Sequence, residues 1–240
     1  MNRIDAACAR GRQWAIGWGA ALVLLLASAA AAAQPAATTV ARPLPAAAVQ
    51  AGVQPPTPTV LVLGDSLSAA YGLRADEGWV ALLAARLAKA QPGWRVVNAS
   101  ISGETSAGGS ARVVGEVLRN RPAVVVIALG ANDALRGLPL RELRRNLARM
   151  IGAAQFTGAE VLLVGMRMPP NLGPDYTAGF EATFRDLATR FDTALLPFLL
   201  EPIALDRGAF QDDNLHPTAE VQPRIADHVW PALAPLLPGT

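Results

Sequence analysis

The sequence of 240 residues contains one cysteine and two histidines, and this scarcity excludes several kinds of chemistry. The single cysteine, Cys8, precedes an apolar run near the start of the chain, so the part expected to fold has no thiol. Without thiols that part can form no disulfide, no cysteine nucleophile and no cysteine-based metal site. We therefore expect its hydrophobic core alone to hold it together.

Basic patches interleaved with aromatic residues, which are typical of nucleic-acid-binding proteins, are also missing. Aromatic residues make up 5% of the chain, and the formal net charge is only +2. Residues 1–33 carry three arginines against one aspartate, so the remaining residues are neutral as a set. One arginine cluster recurs at helical spacing and is interpreted as a solvated helix face: Arg141, Arg144, Arg145 and Arg149. No nucleic-acid partner is expected.

The start of the chain has the three parts of a secretory signal peptide. Arginines at positions 3, 10 and 12 precede an almost wholly apolar stretch at residues 14–30, and three alanines at 31–33 offer a cleavage site. The alternative is a permanent anchor, because an uncleaved stretch of that length nearly spans a bilayer. The small residues favour cleavage after residue 33. We expect export, most simply to the periplasm, with no stable membrane anchor afterwards.

Residues 34–58 are rich in alanine, proline, threonine and glutamine, and they contain few large apolar side chains. Such a composition cannot bury enough surface to order itself, so a flexible linker is expected there. The remaining residues, 59–240, are of a suitable size for one domain with a single core.

Apolar runs alternate with amphipathic segments throughout residues 59–240. Five short runs predict strands at 60–63, 96–97, 124–129, 161–164 and 193–196. Helical stripes begin at Trp79, behind Pro139 as a suitable first helical residue, at Tyr176 and after Pro217. Repeated strand–helix alternation with right-handed crossovers predicts a parallel sheet between two layers of helices, a doubly wound α/β sandwich.

Polar residues follow several of the predicted strands, at the sheet edge where ligands bind in such folds. Ser66 lies in the loop after the first strand, Gly103 in the loop after the second and Asn132 in the loop after the third, while Asp213 and His216 lie in the loop before the last helix. Ser66 is the candidate nucleophile, since a serine hydroxyl becomes reactive when a base takes its proton. His216 is the candidate base, and Asp213, three residues earlier, can orient its imidazole.

Acyl transfer also needs hydrogen-bond donors where negative charge develops on the carbonyl oxygen. The backbone N–H groups of Ser66 and Gly103 and the side-chain amide of Asn132 are the candidates for this oxyanion hole. Each short motif is common by itself, and only the set points to catalysis. A zinc site using His216, His228 and an aspartate is an alternative, although a twelve-residue separation matches no familiar ligand pattern. We therefore expect no zinc site, and a structural role for His228.

Four segments together resemble the SGNH, or GDSL, hydrolase family. They are Gly64-Asp65-Ser66-Leu67, the Gly103 segment, Gly130-Ala131-Asn132-Asp133 and Asp213-x-x-His216. Residues 65–69, 98–103, 132–137 and 195–198 look most like the bacterial periplasmic group with acyl-CoA thioesterase I, protease I and lysophospholipase L1 activities. The resemblance covers residues 59–240. Ala131 and Glu104 depart from the usual glycine and the frequent aspartate at their positions.

The resemblance implies a flavodoxin-like fold: a three-layer sandwich with a five-stranded parallel sheet, and no metal or cofactor. It also implies Ser66 as nucleophile, Gly103 and Asn132 as oxyanion donors, and Asp213 with His216 as the rest of a triad.

We therefore predict a monomeric serine hydrolase that cleaves acyl esters or thioesters, such as aryl esters, lysophospholipids and acyl thioesters, through an acyl-enzyme. An O-acetyl esterase for carbohydrate or peptidoglycan, and a non-catalytic binding domain on the same fold, are the alternatives. An apolar acyl groove or simple capping of the core would equally explain one set of apolar loop residues: Ala134, Leu135, Leu138, Met166, Met168, Pro169, Pro170 and Leu172.

Overall fold

A parallel β-sheet lies at the centre of the computed structural model, which describes residues 57–237 except for the side chain of Pro170. The predicted signal peptide at 1–33, and all but the last two residues of the predicted linker at 34–58, lie outside the described residues. Five strands form the sheet: β1 (Thr59–Gly64), β2 (Arg95–Asn98), β3 (Val124–Ala128), β4 (Glu160–Val164) and β5 (Ala194–Leu196). Each coincides with a predicted strand to within two residues at either end.

The strand order is β2-β1-β3-β4-β5, and every neighbouring pair is parallel. This is the flavodoxin-like order, so the predicted fold class is confirmed. The chain moves in opposite directions from β1 and from β3. The crevice between the carboxyl ends of these two strands is therefore where a ligand is expected to bind.

Six α-helices accompany the sheet within residues 57–237: α1 (Trp79–Ala90), α2 (Ser106–Asn120), α3 (Ala131–Leu135), α4 (Leu140–Phe156), α5 (Pro174–Phe191) and α6 (Gln222–Leu233). Helix α1 packs against α6, whereas α4 packs against both α2 and α5. Right-handed crossovers from oppositely moving strands put these two groups on opposite faces. None of the helices within residues 57–237 is long and apolar enough to cross a membrane.

The core lies on both sides of the central strands. Every residue of β1 and β3 is buried, whereas β2, at the edge of the sheet, is only half-buried. The predicted helical stripes face this core. Their largest fully buried side chains include Trp79, Phe180 and Met150. A strand covered on both faces needs no polar alternation, which is why the continuous apolar run of β3 predicted it.

Two local features differ from the sequence-based expectation. Asn132 lies in α3, a helix of five residues, and not in a loop as predicted. So short a helix has no amphipathic stripe, and therefore no periodic signal in the sequence. Pro139 precedes the first residue of α4 as its N-cap, where it was expected to be the first helical residue.

Candidate active site

A tight turn at the end of β1 presents Ser66. The carbonyl of Asp65 accepts hydrogen bonds from the N–H groups of Ser68 (3.1 Å) and Ala69 (2.9 Å). Gly64 precedes this turn, and a Cβ there would lie 2.6 Å from Ser68 Oγ. That contact is too close for any other residue, so glycine permits the turn. Ser66 itself remains half-buried at the sheet edge.

Ser66, His216 and Asp213 form a continuous hydrogen-bonded chain. The Ser66 Oγ lies 2.8 Å from His216 Nε2, and His216 Nδ1 lies 2.6 Å from Asp213 Oδ2. An ionised carboxylate can only accept, so the hydrogen on this imidazole belongs on Nδ1. Nε2 is then free to accept the serine proton. The structure thus brings together the three residues that the sequence suggested, across a separation of 150 positions.

Asp213 is surrounded by donors. Its Oδ1 accepts from the backbone N–H groups of His216 and Leu215, both at 2.9 Å. The backbone and ring hydrogen bonds from His216, and then the Leu215 N–H, lower the pKa of Asp213 to about 2. Hydrogen bonds to the charged form of a carboxyl group favour that form. The carboxylate that faces the histidine therefore stays ionised throughout the neutral and mildly acidic range.

The loop that carries His216 is fastened to the serine turn. An isolated antiparallel bridge joins Phe210 to Pro217, and the Gln211 N–H donates to the His216 carbonyl at 2.8 Å. The Gln211 side chain donates to the carbonyls of Tyr71 and Pro217, each at 3.0 Å. The Tyr71 ring lies 4.4 Å from the His216 ring between centroids. Sequence reasoning did not identify Tyr71 or Gln211, because their contacts depend on tertiary structure.

Asn132 lies beside the serine turn on the first residues of α3. Its Nδ2 donates to the Glu104 carbonyl at 3.1 Å and lies 3.4 Å from Asp65 Oδ2. The second of these contacts is long and correspondingly weak. One amide N–H of Asn132 is therefore firmly held, and the other can be given to a substrate oxygen at small cost.

Gly103 occupies a turn between β2 and α2. The Glu104 N–H donates to the Ile101 carbonyl at 3.1 Å, and Gly103 has a φ of +78°. A type II turn requires a positive φ at its third residue, which explains the glycine. The N–H groups of Ser66 and Gly103 have no hydrogen-bond acceptor within residues 57–237. Both are available to a bound substrate.

Asp65 is a buried carboxyl group directly behind the serine, and sequence reasoning gave it no role. Burial, which is the largest effect, raises its pKa to about 6, although hydrogen bonds from Leu67 and Asn132 act in the opposite direction. Its Oδ1 accepts from the Leu67 N–H at 3.0 Å. The Gly-Asp-Ser motif could have suggested this residue, since an aspartate side chain often caps its own turn.

An apolar groove of about 180 Å³ lies beside the serine turn and the His216 loop. Four of the predicted groove residues line it: Leu135, Met166, Met168 and Pro169. Ala134, Leu138 and Leu172 do not, and Ala134 is completely buried in the core. The rest of the lining comes from Leu67, Ala131 and Arg167 and from the segment that follows β5: Phe198, Leu200, Ala204, Phe210, Asn214 and Leu215. The predicted set of apolar loop residues is therefore divided: some of them line a groove, and others cap the core.

The second histidine lies apart from this site. His228 Nε2 is 3.0 Å from the Phe198 carbonyl and 3.8 Å from Glu201 Oε2. Within residues 57–237, no group of three or more histidine, cysteine, aspartate or glutamate side chains is arranged to hold a metal ion. His228 and His216 therefore have separate partners, and residues 57–237 offer no ready-made zinc ligand set.

Comparison with known proteins gives consistent similarities. The GDSL-like Lipase/Acylhydrolase family matches residues 62–222. Esterase TesA from Pseudomonas aeruginosa is 50% identical over 179 residues, which cover 75% of this chain and 89% of that protein. Thioesterase 1/protease 1/lysophospholipase L1 from Escherichia coli K12 is 41% identical over 179 residues, which cover 75% and 85% of the two chains.

Two solved structures that resemble this chain are also structures of TesA or of an esterase. A crystal structure of TesA has a TM-score of 0.72 at 50% identity, covering 75% of this chain and 99% of that one. The psychrotrophic esterase EstA from a Pseudoalteromonas species, inhibited by monoethylphosphonate, has a TM-score of 0.71 at 38% identity. That alignment covers 74% of this chain and 97% of the other.

Proposed function

This chain belongs to the GDSL-like Lipase/Acylhydrolase family and hydrolyses ester bonds, and from that premise we propose that hydrolysis proceeds through an acyl-enzyme on Ser66. The observation that carries the proposal is the hydrogen-bonded chain from Ser66 Oγ through His216 to Asp213, with links of 2.8 and 2.6 Å. A serine with such a base and such an orienting group is an activated nucleophile.

In the first step Ser66 Oγ attacks the carbonyl carbon of the substrate while its proton passes to His216 Nε2. The carbonyl π electrons move to the oxygen, which becomes an oxyanion. Asp213, kept ionised by its low pKa, stabilises the imidazolium and fixes its tautomer. The oxyanion then re-forms the carbonyl and the bond to the leaving group breaks, while His216 gives its proton to the leaving oxygen or sulfur, which departs as an alcohol or thiol. Water attacks the acyl-enzyme by the same route, with His216 again as the base.

Three donors would serve the oxyanion: the N–H groups of Ser66 and Gly103, and the Asn132 amide. Support comes from the two backbone groups having no acceptor within residues 57–237, and from the weakly held second N–H of Asn132. Donors fixed before the reaction need no reorganisation as charge develops, and removing one typically costs a factor of about 10²–10³ in turnover.

The apolar groove favours acyl chains over acetylated sugars, because all of its lining side chains except Arg167 and Asn214 are apolar. Aryl esters, lysophospholipids and acyl thioesters are therefore the proposed substrates. The names of the two relatives, one an esterase and the other a thioesterase and lysophospholipase, agree with this range. An enzyme for O-acetyl groups would leave the groove without use, and a non-catalytic binding domain would have no need of the triad.

The proposed site of action is the periplasm, with the protein acting there as a monomer after signal cleavage. The basic start, the apolar stretch at 14–30 and the alanines at 31–33 support export. Mass spectrometry of the protein recovered from the periplasm tests this, with Gln34 expected as the first residue. A protein retained in the membrane with residues 1–33 attached would contradict it.

Labelling with a fluorophosphonate probe tests the nucleophile directly. We expect the wild-type enzyme to be labelled at Ser66, and Ser66→Ala to escape labelling and lose at least about 10⁴-fold in kcat. Ser102→Ala is the matched control, since Ser102 lies in the neighbouring exposed turn without a proposed role. Labelling at another residue, or wild-type turnover by Ser66→Ala, would refute the assignment.

A chain-length series tests the substrate class. Kinetics with p-nitrophenyl esters from acetate to dodecanoate should show kcat/KM rising with the acyl chain until the groove is filled. Ala204→Trp fills part of the groove and should depress the longer esters while sparing acetate. Acetylated xylan or peptidoglycan turned over faster than any of these esters would favour the O-acetyl esterase.

A further inference from the structure

Two consecutive carbonyl groups of the Gly103 turn are held by two side chains of α3 and its C-terminal cap. Arg136 Nη2 donates to the Gly103 carbonyl at 2.9 Å, and Asn132 Nδ2 donates to the Glu104 carbonyl at 3.1 Å. Residues four apart project from the same side of a helical turn. The pair Asn132 and Arg136 therefore grips one short stretch of backbone at two adjacent points.

Side-chain packing does little to fix Gly103. A Cβ built on this glycine would meet nothing within 4 Å in the described chain except Arg136 Nη2, at 3.9 Å. The turn is exposed, and glycine, which has no Cβ, can adopt several backbone conformations besides the observed one with positive φ. Hydrogen bonds must therefore supply the rigidity that packing supplies elsewhere, and Arg136 makes the bond to the glycine's own carbonyl.

Within the described part of the chain, Arg136 has no competing partner. Its guanidinium forms no ion pair with a carboxylate within residues 57–237, although most of the other exposed arginines do. A charged donor makes a stronger hydrogen bond to a carbonyl than a neutral donor does. An arginine otherwise free to sample solvent is thus ordered on the backbone of the turn that carries a proposed oxyanion donor.

We propose that Arg136 is a positioning residue for the oxyanion hole, an inference that rests on the proposed function. By holding the Gly103 carbonyl it fixes the Gly103 N–H relative to the Asn132 amide, so that both donors meet the same oxygen. Arg136 touches neither the substrate nor the reacting atoms in this role. A displacement of about 1 Å at such a donor can cost a factor of about 10² in rate.

Steady-state kinetics of Arg136→Ala and Arg136→Gln give the first test. We expect kcat to fall by about 10- to 100-fold with KM within about twofold of wild type, because the donors act on the transition state more than on bound substrate. Arg136→Lys keeps one charged donor and should recover part of the loss. Arg141→Ala, which removes an exposed arginine from the start of α4, should leave kcat unchanged.

A matched ester and thionoester supply the readout that a merely structural role would not move. Charge develops on sulfur in the thionoester, and sulfur is a weak hydrogen-bond acceptor. The rate for the ester divided by the rate for the thionoester therefore reports the strength of the oxyanion donors. We expect this ratio to fall in Arg136→Ala and to recover partly in Arg136→Lys.

An unchanged ratio would overturn the inference, even with a lower kcat, since Arg136 would then act on the leaving group or on the fold. Wild-type kcat in the alanine and glutamine variants would overturn it as well. Fluorophosphonate labelling of the same preparations separates this from a failure of the proposed function. If wild-type Ser66 is not labelled, the proposed acyl-enzyme mechanism is wrong. If Ser66 is labelled and the Arg136 variants have the wild-type rate ratio, only the positioning role of Arg136 is wrong.

Discussion

Two carboxyl groups near Ser66 have pKa values displaced in opposite directions. Asp213 is exposed but surrounded by donors, which lower its pKa to about 2. Asp65 is almost completely buried, which raises its pKa to about 6. Hydrogen bonding to the charged form and loss of hydration are the two causes. At neutral pH both are largely ionised, but only Asp65 changes its charge in mildly acidic solution.

Asp213→Asn tests the orienting role at the residue scale. The amide oxygen can still accept from the backbone N–H groups, whereas its NH₂ group cannot accept the Nδ1 hydrogen of His216. The imidazole should then adopt the wrong tautomer, and kcat should fall by about 10³–10⁴-fold. Asp212→Asn is the control, because the neighbouring carboxylate has no hydrogen bond within residues 57–237. Equal rates for the two variants would exclude the role.

Asp65→Asn tests the raised pKa through stability. A group whose pKa is higher in the folded state contributes stability that is complete below its unfolded pKa, near 3.8, and lost as pH rises through about 6. The unfolding free energy of wild type relative to Asp65→Asn should therefore drop by about 2–3 kcal/mol between pH 4 and pH 7. Urea denaturation at both pH values measures it, and a constant difference would contradict the shift.

At the scale of elements, α2 is joined to its neighbours at both polar and apolar contacts. Asp133 in α3 accepts from the Ser106 N–H at 2.7 Å and from the Ser106 hydroxyl at 2.5 Å. Asn146 in α4 donates to that hydroxyl at 3.0 Å. Thr105, at the N-cap of α2, makes no side-chain cap hydrogen bond. A side chain of another helix, Asp133, caps the N-terminus of α2 instead.

Two glycines of α2 form a matched pair for a stability test. A Cβ on Gly109 would overlap Leu129 Cδ1 and lie 2.9 Å from Met150 Sδ, whereas a Cβ on Gly115 would meet nothing within 4 Å. Gly109→Ala should destabilise the protein by about 1–3 kcal/mol through overpacking. Gly115→Ala should stabilise it by about 0.5–1 kcal/mol, because glycine is a poor helix former.

Urea denaturation of both glycine variants under the same conditions gives the comparison. Helix propensity alone would make the two substitutions equally favourable, so opposite signs are the expected mark of close packing between α2 and its neighbours. Two stabilising changes would show that the helix shifts to accommodate the methyl group at Gly109, and a destabilising Gly115→Ala would contradict the expected gain in helix propensity.

At the scale of the whole molecule, the described core and all proposed site residues lie within residues 60–237. A chain starting at Thr57 should therefore match one starting at Gln34 in unfolding midpoint and, within about twofold, in kcat/KM. Calorimetry and ester kinetics of the two proteins check this. A large loss in the shorter chain would mean that residues 34–56 contribute to the fold or the site.

Much of this architecture could be predicted from the sequence, because burial leaves a strong trace. The apolar run of β3 and the stripe behind Pro139 located their elements, and the strand ends located Ser66 and Asn132. Helix α3 left no trace because five residues hold too little periodicity. The role of Arg136 and the burial of Asp65 depend on distant backbone, which spacing along the chain does not encode.

The short loop closed by the Phe210–Pro217 bridge holds both Asp213 and His216. The base and its orienting group therefore move as one body, and only one long-range relation, that to the serine turn, remains for folding to establish. Such an arrangement would allow the pair to be transferred to another protein as one segment. Grafted as a single closed segment onto a related scaffold, it would carry its internal geometry along, and the recipient would have to supply only the docking point.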